Sequence, residues 1–233
     1  MIYNSRMGIS FRTIFFLPTF LFLSNCYYSS GGSGTSPSGF ISFETDILNV
    51  FDEKCATSGC HVGASPGGGL NLAQSDSDVT TVYDDTLGEI ELGDPESSLL
   101  LTKASNTVSH TGGEVLSTSS DDYQLILAWI VAGAFNDSCD GVTHSFSADV
   151  VPIFSQCTAV GCHDVTPPVL TSSQYENIED ANAVDLADPT NSSLLRKPLG
   201  LDSHTGGAIF DDMNDSDYKT IFCWIKVDDG TDN

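Results

Sequence analysis

Positive charge is scarce in this chain: eight Lys and Arg stand against 32 Asp and Glu, a formal net charge of −24 over 233 residues. Such a surface repels nucleic-acid phosphates, so nucleic acid is excluded as a partner and a basic protein is favoured. Sustained polar–apolar alternation is also missing, which argues against a sheet. No Ser-His-Asp order or phosphate-cradling loop is present, and carboxylates are too numerous for any pair to stand out. Methionine is nearly absent: Met1 and Met7 fall at the extreme N-terminus, leaving only Met213.

The N-terminus departs from this acidic background. Arg6 and Arg12 precede an apolar run from Thr13 to Leu23. The run is too short for a comfortable membrane span and reads as the h-region of an export signal. It ends in LSNC, with Cys26 where bacterial lipoproteins carry the lipidated cysteine, although Asn25 replaces the usual Gly or Ala. Residues 1–26 are therefore expected to be a lipoprotein signal peptide and lipobox, and the Gly/Ser-rich stretch 27–41 a flexible tether. The expected location is outside the cytoplasm, lipid-anchored to a bacterial membrane on its periplasmic or cell-surface side.

Aligned with itself, the chain is a tandem duplication. CATSGCH at 55–61 returns as CTAVGCH at 157–163, GDPESSLLLTK from 93 as ADPTNSSLLRK from 187, and HTGG at 110 as HTGG at 204. DYQLILAWI returns as DYKTIFCWI. The copies are expected at 42–136 and 146–230, joined by a linker at 137–145.

Each copy reads as mostly helical. Short apolar segments lead into the cysteines. Asp94 can cap a helix that begins at Pro95, where a missing N–H costs nothing. The strongest helix follows Ser119 or Ser120 and places Tyr123, Ile126, Leu127, Ile130 and Val131 on one face, with Gly133 to end it. The intervening stretches, rich in Gly, Ser and Asp, read as loops. A helical unit of this size with so much loop has a thin core and calls for a staple, metal or cofactor.

The cysteines and histidines admit three readings. In the c-type haem signature two cysteines form thioethers and the next residue, His, ligates the iron. Here the usual C-x-x-C-H is lengthened to C-x4-C-H. On a regular helix that spacing turns the two cysteines about 140° apart, so the segment between must bulge outward. Gly59 and Gly161, just before the second cysteine, permit such a backbone. A disulfide closing each loop accounts for the cysteines but gives no role to four histidines at matching positions. A Cys2His2 zinc site uses both residue types but requires neighbours such as Cys60 and His61 to converge on one tetrahedral ion.

The order F-x(2,3)-C-x4-C-H, GDP-x-x-S-x-L, H-x-G-G and a terminal W-I-x-x-G resembles the cytochrome c-like domains found beside planctomycete-type cytochrome modules, over nearly the whole of both copies. The resemblance implies an all-α fold of two tandem cytochrome c-like domains with long loops. It further implies two covalently bound haem c groups, with thioethers at Cys55, Cys60, Cys157 and Cys162 and proximal iron ligands His61 and His163. The second copy has Ala187 in place of Gly93 and lacks the GGG of 67–69.

Distal ligands follow from counting. The first copy has no methionine to offer, so the candidates shared by both copies are His110 and His204. Of seven cysteines, one is the lipid anchor and four are thioether candidates, leaving Cys139 and Cys223 to pair as a disulfide. In the chain-entropy picture so long a closed loop contributes about 4 kcal/mol. The expected function is electron carriage outside the cytoplasm to or from a redox partner protein, with no enzyme activity. The alternatives are a disulfide-stapled, cofactor-free surface lipoprotein that binds an envelope or host component, and a haem enzyme or gas sensor.

Overall fold

The computed structural model describes residues 39–232, and among them every regular element is helical and no strand occurs. The fold is all-α, as expected. The signal peptide, Cys26 and most of the tether lie outside the described residues. Among those that are described, no helix is long and apolar enough to cross a membrane.

Both copies run through the same four helices. In the first, an opening helix covers 43–55 as Phe43–Ile47, Leu48–Val50 and Phe51–Cys55. A middle helix Val79–Leu87, a short helix Leu99–Ala104 and a closing helix Asp121–Val131 follow. In the second, the opening helix covers 146–156, followed by Gln174–Asp180, Ser193–Arg196 and Ser216–Val227. Each opening helix starts at a reciprocal cap. Ser42 Oγ accepts from the Thr45 N–H while Asp46 accepts from the Ser42 N–H. Ser145 and Asp149 repeat the pattern, with Ala148 N–H as the donor to Ser145.

Three local expectations change. The sequence after Asp94 does not enter an α-helix at once: Pro95–Ser97 form a 3-10 turn, Ser98 is extended, and the helix starts at Leu99. Ser98 is held there because its buried hydroxyl accepts from the Glu91 N–H. In the closing helix Val131 is 68% exposed and Trp129 takes the buried place instead, beside Tyr123, Ile126 and Ile130. The middle helix lies in sequence read as loop. Its Thr and Asp content is poor for helix, but Asp78 caps it through the Thr81 N–H and Val82, Tyr83 and Thr86 bury one face.

Each copy has its own core, built around a tryptophan from the closing helix. Trp129 stacks on Phe43 with ring centres 5.2 Å apart, and Trp224 meets Phe146 at 5.1 Å. Each buried indole N–H is satisfied by a backbone carbonyl just beyond its own helix, Phe135 for Trp129 and Thr231 for Trp224.

The two copies are fused rather than strung together. Phe135, at the end of the first copy, packs into the second core against Tyr218 and Phe222. Asn136, Asp137, Ser138 and Cys139 are buried, so the connection is a packed strap over its first part. Cys139 is joined to Cys223 of the last helix by a disulfide. The Asp137 carboxylate accepts from Ser42 Oγ and the Glu44 N–H of the first copy and pairs with Lys226 of the second. That ion pair lies at a joint where burial of Asp137 would otherwise be costly.

Candidate functional site

The loop between the paired cysteines is built alike in both copies. The opening helix stops at Cys55 or just before Cys157, and the chain makes a tight turn in which Cys60 N–H donates to the Thr57 carbonyl and Cys162 N–H to that of Ala159. Gly59 and Gly161 supply the left-handed residue, at φ +82° and +86°. The histidine N–H then closes the loop on the first cysteine: His61 to the Cys55 carbonyl at 3.2 Å and His163 to that of Cys157 at 3.1 Å. The segment does bulge away from helical geometry, and both cysteine–histidine groups emerge in the same frame.

All four cysteines are free thiols. Burial pushes the Cys55 thiol up to about 11, with Cys60 and Asp122 adding to the rise. Cys157 is raised for the same reason, with Cys162 adding. Inner thiols held protonated in this way are poor partners for disulfide exchange.

Across from each cysteine loop stands the HTGG histidine. The rings of His61 and His110 have centres 6.0 Å apart and planes 16° apart; those of His163 and His204 stand at 6.0 Å and 26°. The duplicated chain thus brings together the two pairs expected from sequence, at one separation. Every ring is anchored through Nδ1 on a backbone carbonyl: His61 on Leu70 (3.0 Å), His110 on Gly113 (3.2 Å), His163 on Pro168 (2.9 Å) and Thr166 (3.2 Å), and His204 on Gly207 (2.9 Å). A carbonyl accepts only, so Nδ1 carries a proton, and Nε2 is the ring nitrogen left for a ligand role.

The HTGG turn exists to hold that ring. A Cβ on Gly112 would lie 3.0 Å from Cε1 of His110, and one on Gly206 would lie 3.1 Å from Cε1 of His204. The imidazole folds back over the first glycine, and the second glycine, at φ +71° or +75°, turns its carbonyl to the Nδ1 proton. What approaches these first glycines closely is the histidine itself.

In the second copy the histidines face an apolar cleft of about 160 Å³, partly open to solvent and lined by Phe154, Pro168, Leu170, Leu194, Phe210 and Ile221 among others, together with Cys157. Met213 packs on the second core and does not line the cleft.

What could such a site hold? Two metal–nitrogen bonds of about 2.0 Å, with each nitrogen about 1.1 Å from its ring centre, separate imidazoles sharing one metal ion by about 6.3 Å. That length applies where the two coordinating nitrogens point at one another along the line of ring centres; the observed centre-to-centre distance is 6.0 Å in both copies, with the ring planes nearly parallel. Among the described residues no group of three or more His, Cys, Asp or Glu side chains converges to hold an ion. A tetrahedral zinc site therefore has no ligand set here. Two imidazoles with no further protein ligand would suit a metal whose other ligands come from a cofactor. The Cys157 thiol and the apolar walls of the second cleft would suit the edge and body of such a group.

Sequence reasoning named the four histidines and four cysteines but not the Leu70, Gly113, Pro168 and Gly207 carbonyls that orient the rings. Backbone acceptors leave no residue-type signal. Comparison with family models, with curated proteins and with solved structures finds no match to this chain.

Proposed function

We propose that this protein is a di-haem c-type cytochrome, exported as a lipoprotein, that carries electrons outside the cytoplasm. The observation that carries the reading is the repeated imidazole pair: two copies, each with rings 6.0 Å apart and each ring locked through Nδ1. Cys55 and Cys60 would hold one haem through thioethers and Cys157 and Cys162 the other. His61 and His163 would be the proximal ligands, and His110 and His204 the distal ones. Bound there, the iron supplies a one-electron couple.

The chain's own residues do the rest. With a histidine on each face no position is left open for substrate, which favours transfer over catalysis. Nδ1 hydrogen bonds to carbonyls hold each ring in one orientation, with Nε2 as the coordinating nitrogen. The excess of 24 negative charges favours a basic redox partner at low ionic strength. A cofactor-free, disulfide-stapled binder leaves the four anchored histidines without a role.

The test is expression of the full chain in a host with c-type maturation machinery. Intact mass should show two haem additions that survive denaturation, and spectra should show low-spin iron with nitrogen on both faces. An unmodified polypeptide from that host ends the cytochrome reading. Reduced protein that binds carbon monoxide at both irons would instead favour a gas-binding haem protein. Cys26→Ala should release the chain from membranes without altering either spectrum.

A further inference from the structure

Only six cationic side chains remain after the N-terminal Arg6 and Arg12: Lys54, Lys103, Arg196, Lys197, Lys219 and Lys226. Two of these, Lys103 and Lys197, hold the same place in the two copies, each ending the LL-x-K stretch seven residues before the HTGG histidine. Scattered cations in so acidic a chain would not fall in register. Their surroundings agree. Lys197 lines the cleft that holds His163 and His204. Among the described residues that line this cleft there is no carboxylate, and Lys197 is its one permanently charged side chain. Lys103 donates through Nζ to the carbonyl of Ser109, the residue just before His110.

A chain with four acidic residues for every basic one has thus kept acid out of this cleft and placed a cation at its edge. Lys197 itself is exposed, so its stem can lie along apolar surface while the ammonium stays in water at the mouth. An apolar body between two imidazoles and an ammonium at the rim together describe a ligand that is flat, apolar at its centre and anionic at one edge.

We infer that Lys197, and Lys103 in the first copy, bind the carboxylates on the solvent edge of the planar ligand, which on the reading above are the haem propionates. This inference rests on that reading but fails separately from it. The lysine would thereby select for ring orientation, favouring the one that puts the carboxylates at the cleft mouth.

The test uses the full chain produced without thioether-forming machinery and titrated with two probes, haemin and haemin dimethyl ester, which differ only in the carboxylate charges. Wild type should bind haemin at two sites with a low-spin bis-imidazole spectrum, and should bind the diester roughly two- to fivefold more weakly per site. That is the range of one solvent-exposed charge pair. Lys103→Gln/Lys197→Gln should lose the preference while its affinity for the diester stays unchanged. Lys197→Glu should reverse the preference at one site. Equal binding of both probes to wild type, or a preference that survives in the double variant, overturns the role of the lysines and leaves the cofactor reading intact. Failure of both probes to give the low-spin spectrum overturns the cofactor reading and this inference together. Unchanged helical circular dichroism in each variant keeps misfolding from imitating either result.

Discussion

Gly112→Ala is the sharpest probe of how the distal histidine is held. Gly112 is not in the left-handed region, unlike Gly113 at φ +71°, so alanine adds no backbone strain there. Its Cβ would stand 3.0 Å from Cε1 and 3.3 Å from Nδ1 of His110. To regain ordinary contact the ring must retreat by about 0.4 Å. The Nδ1 bond to Gly113, already 3.2 Å long, would then reach about 3.6 Å and cease to be a hydrogen bond. Losing it should cost about 1 kcal/mol, which in a chain of this size lowers Tm by about 2–4 °C. Gly206→Ala should be milder. Its contact is 3.1 Å and the His204 bond to Gly207 starts at 2.9 Å, so a similar retreat leaves that bond in place. The assay is thermal unfolding of both variants, repeated in a His110→Ala background. In that background Gly112→Ala should cost nothing further, because the two changes act through the same ring. In matured protein Gly112→Ala should also open about half of the iron to carbon monoxide, as His110→Ala does fully at the same site. An undiminished cost of Gly112→Ala without the imidazole, or equal costs at Gly112 and Gly206, would refute the reasoning.

Phe135→Ala should cost about 3–5 kcal/mol in urea unfolding, the usual penalty for emptying a buried aromatic site, because Phe135 is 1% exposed among Phe40, Tyr218 and Phe222. The loss should appear in the second core although Phe135 closes the first copy, and an effect below 1 kcal/mol would mean that the strap does not fuse the copies. For protein without thioethers, stability should fall in alkali. Burial raises Cys55 in the folded state from 9.0 to about 11, so its contribution is fully present below about pH 9 and is lost as pH rises through about 11. Cys55→Ser should reduce that alkaline loss measurably in Tm scans, and an unchanged profile would show that the thiol is not buried as described.

Much of the candidate site was legible in the sequence because the duplication served as an internal control. A histidine that recurs at the same place in both copies, as His110 and His204 do, stands out from His144, which has no counterpart. The same comparison marks Lys103 and Lys197. Less of the helical detail was legible. The middle helix at Val79–Leu87 is written in Thr and Asp, whose intrinsic preference is against helix, and it forms because Val82 and Tyr83 have a core to enter.

By itself, then, the sequence determined the all-helical class, the two copies and the recurrence of four cysteines and four histidines at matching places, since residue type and spacing carry that information directly. It also left Cys139 and Cys223 as the two cysteines without another assignment, and these are the two that bond. Only the tertiary structure decided that each pair of histidines faces one another, because His61 and His110 are brought together by a fold and not by a spacing. It alone decided which ring nitrogen is free, since the carbonyls of Leu70, Gly113, Pro168 and Gly207 are present in any sequence and are aimed only by their loops. It also decided that the copies form one packed body. Phe135 could have closed its own core, but the strap carries it into the other, where Tyr218 and Phe222 complete its surroundings.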